Sequence, residues 1–140
     1  MLADDDVVVA DKRGEGADGN NDGQRGVARG DKGQADAVNK GIAMATGEII
    51  GWLNADDYFL PGALETVAPL FDDPAVMVVY GRGREIDVWG NVLRDIIPRG
   101  MSPEEFIRFW RWGYDYIQPA FFFRRSVFNA VGMLDETLHY

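Results

Sequence analysis

"EIIGWLNADDYFLPGAL" spans residues 48–64. Ile49, Ile50, Trp52 and Leu53 make its first part apolar. A short apolar run bounded by Gly47 and by acids reads as a buried strand. The run stops on Asn54, Asp56 and Asp57, and Pro61 follows in "PGALETVAPLF", which reads as a helix with proline in its first turn. In open α/β sheets, ligands bind beyond the carboxyl ends of strands. The adjacent carboxylates stand at such an end.

The flanking sequence extends this pattern. Ala35, Val38, Ile42 and Ala45 recur at helical spacing, so a helix is expected over residues 34–45, stopped by Thr46-Gly47. After the Pro61 helix, "DDP" at 72–74 is a turn and residues 76–81, "VMVVYG", form a second buried strand. "GREIDVWGNVLRDI" reads as a hairpin turning at Gly90-Asn91. Ser102-Pro103-Glu104-Glu105 is a helix start, with Phe106, Ile107, Phe109 and Trp110 following. "IQPAFFFRR" is a strand, Pro119 marking an edge or a strand start, and a short helix follows over 126–131. "GMLDETLHY" closes the sequence as a loop. Helices alternating with strands predict an α/β fold with a mostly parallel sheet flanked by helices.

Residues 1–30 differ. They are rich in Gly, Asp and Asn, and only "VVVA" at 7–10 could form a strand. This stretch is expected to be flexible, because it buries too little apolar surface to offset its ordering entropy. Its Asp-rich pattern lacks the terminal Glu of a calcium-binding EF-hand loop. The domain division expected is a flexible segment over 1–30 and a folded domain over 31–140.

Composition removes several functions. The 140 residues suit one domain, and 46% hydrophobic residues suffice for a core. A net charge of -9 argues against nucleic-acid binding and against docking on an anionic membrane. No cysteine is present, which excludes disulfides and thiolate metal sites. His139 is the single histidine, so a His-based zinc site or a catalytic triad is not expected. There is no long apolar run and no signal-peptide pattern at the acidic start, and the expected location is the cytoplasm.

Asn54 and Asp56 lie two apart, on one side of an extended segment. Hard divalent cations prefer oxygen ligands, and Mg²⁺ often takes one or two carboxylates with substrate phosphates and water. An Asn-x-Asp-Asp strand end therefore suits a metal-diphosphate site. The plainer alternative is that the acids lie in a solvated turn or that Asp57 balances the dipole of the Pro61 helix.

"DKGQADAVNKGIAMATGEIIGWLNADDYFLPGALETV" resembles the family 2 glycosyltransferases, the GT-A group that uses nucleotide-sugar donors. The resemblance is strong over residues 31–70 and continues through "VVYG", "GREIDVWGNVLR", "IQPAFFFRRSVF" and "VGMLDETLHY". It implies an incomplete GT-A-like sheet and transfer of a sugar, with inversion, from UDP or another nucleoside diphosphate to a glycan or other hydroxyl acceptor. It implies Mg²⁺ or Mn²⁺ on Asp56, with Asn54 standing where the family often has an aspartate. Asp57 would support the site or touch the sugar. Asp31, Gln34 and Lys40 would contact the donor, and Gln118 and Asp135 the acceptor. The alternative for Lys40 is a solvated helix residue, and Asn39 and Gly41 would serve helix packing. Phe121, Phe122 and Phe123 read as core, and Arg124 and Arg125 as surface charge. Trp110 and Trp112 could stack on a sugar face or pack in the core.

Two features depart from the family pattern. Its first strands, with an aspartate gripping the base, are not evident before Asp31, and its acidic catalytic base is expected beyond Tyr140. The sequence thus reads as a glycosyltransferase shortened at both ends, with a non-catalytic binding or assembly module as the rival reading. Unpaired sheet edges would favour self-association. Bacterial cell-surface polysaccharide synthesis, at the inner face of the membrane through partners, is the setting the family implies.

Overall fold

A computed structural model describes residues 9–12, 32–98, 102, 104 and 116–137. Within them the chain forms β1 (Val9–Lys12), α1 (Gln34–Met44), β2 (Ile49–Gly51), β3 (Tyr58–Phe59), α2 (Ala63–Val67), β4 (Val78–Tyr80), β5 (Gly83–Ile86), β6 (Val92–Ile96), β7 (Phe121–Arg124) and α3 (Ser126–Val131). Short 3-10 turns at Ala68–Phe71 and Gln118–Ala120 follow α2 and precede β7. The helix expected after Ser102 falls largely outside the described residues, as do Trp110, Trp112 and His139.

The strands form two sheets, ordered β3-β1-β5-β6 and β2-β7-β4. The fold is mixed α/β. Among the described residues β1 and β5 pair in parallel, and the remaining pairs are antiparallel. The antiparallel share exceeds expectation because β5 and β6 join through a tight hairpin, while β7 runs against both β2 and β4. The hairpin register carries complementary charge: Arg84 opposes Asp95 and Glu85 opposes Arg94, with ion pairs of 2.8 and 2.7 Å. In its loop Asp87 accepts from the backbone N–H of Trp89 and Asn91 and from the Asn91 side chain. The Asn91 side-chain bond, above all, holds the Asp87 carboxyl below its ordinary value.

Two of the sequence boundaries shift. Pro61 lies in a turn rather than in the first turn of α2, because Gly62 takes φ 84°, a left-handed conformation that interrupts the chain before Ala63. Asp57 is accordingly tied to Asn54 rather than set at the helix start. Pro119 lies in the 3-10 turn, so β7 avoids a missing N–H and becomes the central strand of its sheet.

One core cluster joins Ala63, Val67, Phe71, Val79 and Phe122; a second joins Ile96, Ile117 and Ala120. Phe59 packs on both, its ring 5.5 Å from that of Phe122. Ile117 presses on Gly83 so closely that a Cβ there would lie 2.1 Å from Ile117 Cγ2.

Arg124, expected at the surface, is instead largely buried. Its guanidinium donates to the carbonyls of Phe71, Asp73 and Val76, pairs with Glu48, and lies 5.5 Å from the Phe71 ring centroid. It ties β7 to the loop between α2 and β4. Arg125 donates from its backbone to Glu48 O and from its side chain to Ala45 O, at the end of α1.

Candidate functional site at the end of β2

β2 ends at Gly51, and the chain beyond it closes on itself through side-chain bonds. Trp52 Nε1 donates to Asn54 Oδ1 at 3.1 Å. Asn54 Nδ2 donates to Asp57 Oδ2 at 3.0 Å and to Gln118 Oε1 at 2.9 Å. Gln118 Nε2 donates to the Trp52 carbonyl at 2.7 Å. The Asp57 N–H donates to the Asn54 carbonyl at 3.2 Å and closes the turn. Residues more than sixty positions apart are thereby locked together, which fixes the backbone of the acidic turn.

Three of the expected site residues, Asn54, Asp57 and Gln118, therefore meet. Asp57 is half-buried, while Asp56 is exposed and its carboxylate takes no hydrogen bond or ion pair among the described residues. The other candidates are held elsewhere. Gln34 opens α1 and is exposed. Lys40 bonds Asp36 at 2.8 Å on the same helix. That bond, reinforced by the Lys32 backbone N–H, keeps the Asp36 carboxyl below its ordinary value. Asp135 accepts from the Thr137 hydroxyl and N–H, and these bonds lower its carboxyl in the same way. Asp31 lies outside the described residues.

Asn39 has a larger part than helix packing. Its amide donates to Leu134 O and to Glu136 Oε1, and its oxygen accepts from Leu134 N. The Leu-Asp-Glu loop is thereby fastened to α1. The signal in the sequence was an asparagine inside a helix, where its competition for backbone hydrogen bonds is unfavourable.

No group of three or more His, Cys, Asp or Glu that could hold a metal occurs among the described residues. The donor set is one exposed carboxylate, Asp56, beside the anchored Asp57. Such a set fits a Mg²⁺- or Mn²⁺-type ion only when phosphate oxygens and water complete the shell.

An α/β chain with oxygen ligands beyond a strand end belongs to the broad class that binds ligands there. The profile described as "Glycosyl transferase family 2" matches residues 3–132, and the chain belongs to that family. Its general activity is glycosyl transfer, which implies a nucleotide-sugar donor and an acceptor. The match begins ahead of Asp31 and takes in β1. No curated protein matches, and no solved structure does. No helix among the described residues is long and apolar enough to cross a membrane.

Proposed function

We propose that this chain binds a nucleoside-diphosphate sugar, UDP-linked or of another base, at the end of β2 for transfer of the sugar, with inversion, to a hydroxyl acceptor, whose proton passes to an acidic base other than the binding residues assigned below. The observation that carries this reading is the locked Trp52–Asn54–Asp57–Gln118 network with Asp56 left exposed beside it. Asp56, with Asp57 next to it, would hold Mg²⁺ or Mn²⁺. The ion's chemistry there is neutralisation of charge growing on the departing diphosphate.

The protein's own contribution is placement. Gln118 and Trp52 fix the Asn54 amide, and Asn54 fixes Asp57, so the turn is rigid before any ligand arrives. Asp31, Gln34 and Lys40 are assigned to the donor side. Asp57, Gln118 and Asp135 are assigned to the transferred sugar and the acceptor, with Asn39 positioning the Asp135 loop. The reading is tested by release of nucleoside diphosphate from UDP-sugars with Mn²⁺. Release that Asp56→Asn abolishes supports it. Release that survives Asp56→Asn, or needs no divalent ion, contradicts the assignment.

A further inference from the structure

We propose that Glu136 is the base of the transfer, its carboxylate taking the proton of the acceptor hydroxyl. This rests on the transfer reading above and names a further catalytic residue for it. Glu136 lies in the loop after α3, two residues past Leu134. The loop is exposed, yet it is held in place. Asn39 of α1 donates to Leu134 O at 3.0 Å and accepts from Leu134 N at 2.9 Å. The same amide donates to Glu136 Oε1 at 3.0 Å. Both hydrogens of Asn39 Nδ2 are thus spent on this loop.

That hold suits a general base. A carboxylate that takes a proton in a fixed direction needs one oxygen anchored and the other open. Oε1 is anchored by Asn39, and Oε2 takes no hydrogen bond or ion pair among the described residues. The anchor is a neutral amide; a cation in its place would favour the ionised form and weaken a base. The carboxylates nearby are occupied otherwise. Asp57 accepts from Asn54, and Asp56 serves the departing diphosphate. Asp135 accepts from the hydroxyl and the N–H of Thr137, and these bonds hold its carboxyl below the ordinary value, which suits a binding role.

The placement fits inversion. The acceptor oxygen attacks the sugar's C1 from the face away from the diphosphate, so the base must come from another wall than Asp56. Leu134 lines the same cavity, of about 560 Å³, as Trp52 and Gln118 of the donor-side network. The loop that carries Glu136 and the end of β2 therefore border one space from different elements. In the step, the acceptor O–H gives its proton to Glu136 Oε2 while the oxygen's electron pair forms the bond to C1. The bond from C1 to the diphosphate oxygen breaks, and its electron pair leaves with the nucleoside diphosphate. Because Glu136 is exposed, the carboxylic acid then returns its proton to water.

The test reads release of nucleoside diphosphate from a panel of UDP-, GDP- and dTDP-sugars with Mn²⁺, with methyl glucoside or water as the hydroxyl acceptor. Calorimetry of UDP–Mn²⁺ binding runs beside it. Glu136→Gln keeps an oxygen for Asn39 and removes the base. It should lower kcat by about 10²–10⁴-fold, with the donor KM and UDP–Mn²⁺ binding unchanged. Formate, a small carboxylate, should restore part of the rate of Glu136→Ala and none of that of Asp56→Asn. Equal kcat in the parent and Glu136→Gln overturns this inference alone. A slow Glu136→Gln that also loses UDP–Mn²⁺ binding, or a Glu136→Ala that formate does not quicken, marks Glu136 as merely structural and likewise overturns it. No release by the parent from any donor overturns the transfer reading, and the base with it.

Discussion

Asn54→Asp separates what the amide at the end of β2 does from what a carboxylate would do there. Asn54 Nδ2 makes two donations, to Asp57 Oδ2 and to Gln118 Oε1. Aspartate supplies neither. Two lost hydrogen bonds cost about 1 kcal/mol each. The new carboxylate would also stand against that of Asp57; two charges about 4 Å apart at an effective dielectric near 20 repel by about 4 kcal/mol. Gln118 cannot relieve this by turning its amide, because its Nε2 is held by the Trp52 carbonyl. Allowing for relaxation, the variant should be less stable than the parent by about 3–5 kcal/mol in EDTA. Asn54→Leu, which loses these two bonds and the one accepted from Trp52 Nε1 without adding charge, should lose about 3 kcal/mol with or without Mn²⁺. A divalent cation between the paired carboxylates reverses the sign of the charge effect. Mn²⁺ at a hundredfold excess over its dissociation constant should return about 2.7 kcal/mol to Asn54→Asp. Urea unfolding with and without Mn²⁺ measures all three. If Asn54→Asp is as stable as the parent in EDTA, or if Mn²⁺ stabilises Asn54→Leu equally, the account of this network is wrong.

Other perturbations test the scaffold. Arg124→Met keeps much of the packing but strands the carbonyls of Phe71, Asp73 and Val76; urea unfolding should show a loss of about 2–4 kcal/mol, and a loss under 0.5 would return Arg124 to the surface role that its sequence context suggested. Gly83→Ala drives a methyl into Ile117, and should cost about 1–3 kcal/mol or more; Ile117→Ala in the same chain should recover part of that, and strict additivity would contradict the contact. The Asp36, Asp87 and Asp135 carboxyls are all held below their ordinary value of 3.8. Depressed carboxyls contribute stability that is present above that value and lost as pH falls through the lower folded one. The stability gap between parent and Asp87→Asn should therefore close below about pH 4, and a gap that widens on acidification would refute the hairpin assignment.

The strands and helices around the acidic end were legible because their signals are local. The 34–45 periodicity became α1, and the Gly90-Asn91 turn became the hairpin, with Gly90 at φ 88°. The meeting of Asn54 with Gln118 was not legible, since nothing near either residue encodes a partner more than sixty positions away. Arg124 was misjudged for the same reason: its carbonyl partners lie some fifty positions earlier, and two adjacent arginines look solvated in isolation. Pro61 misled because the local rule for proline at a helix start does not register the left-handed turn that Gly62 inserts. Asn39 was the missed opportunity, for an asparagine in mid-helix is a residue with another task.

The most direct test of the central claim is a calorimetric titration of UDP into the protein with and without Mn²⁺, beside Asp56→Asn. The account predicts binding that requires Mn²⁺ and is lost in the variant, while the variant's urea midpoint stays that of the parent. UDP binding that ignores both Mn²⁺ and Asp56, or no binding under any condition, would contradict a donor site at the end of β2.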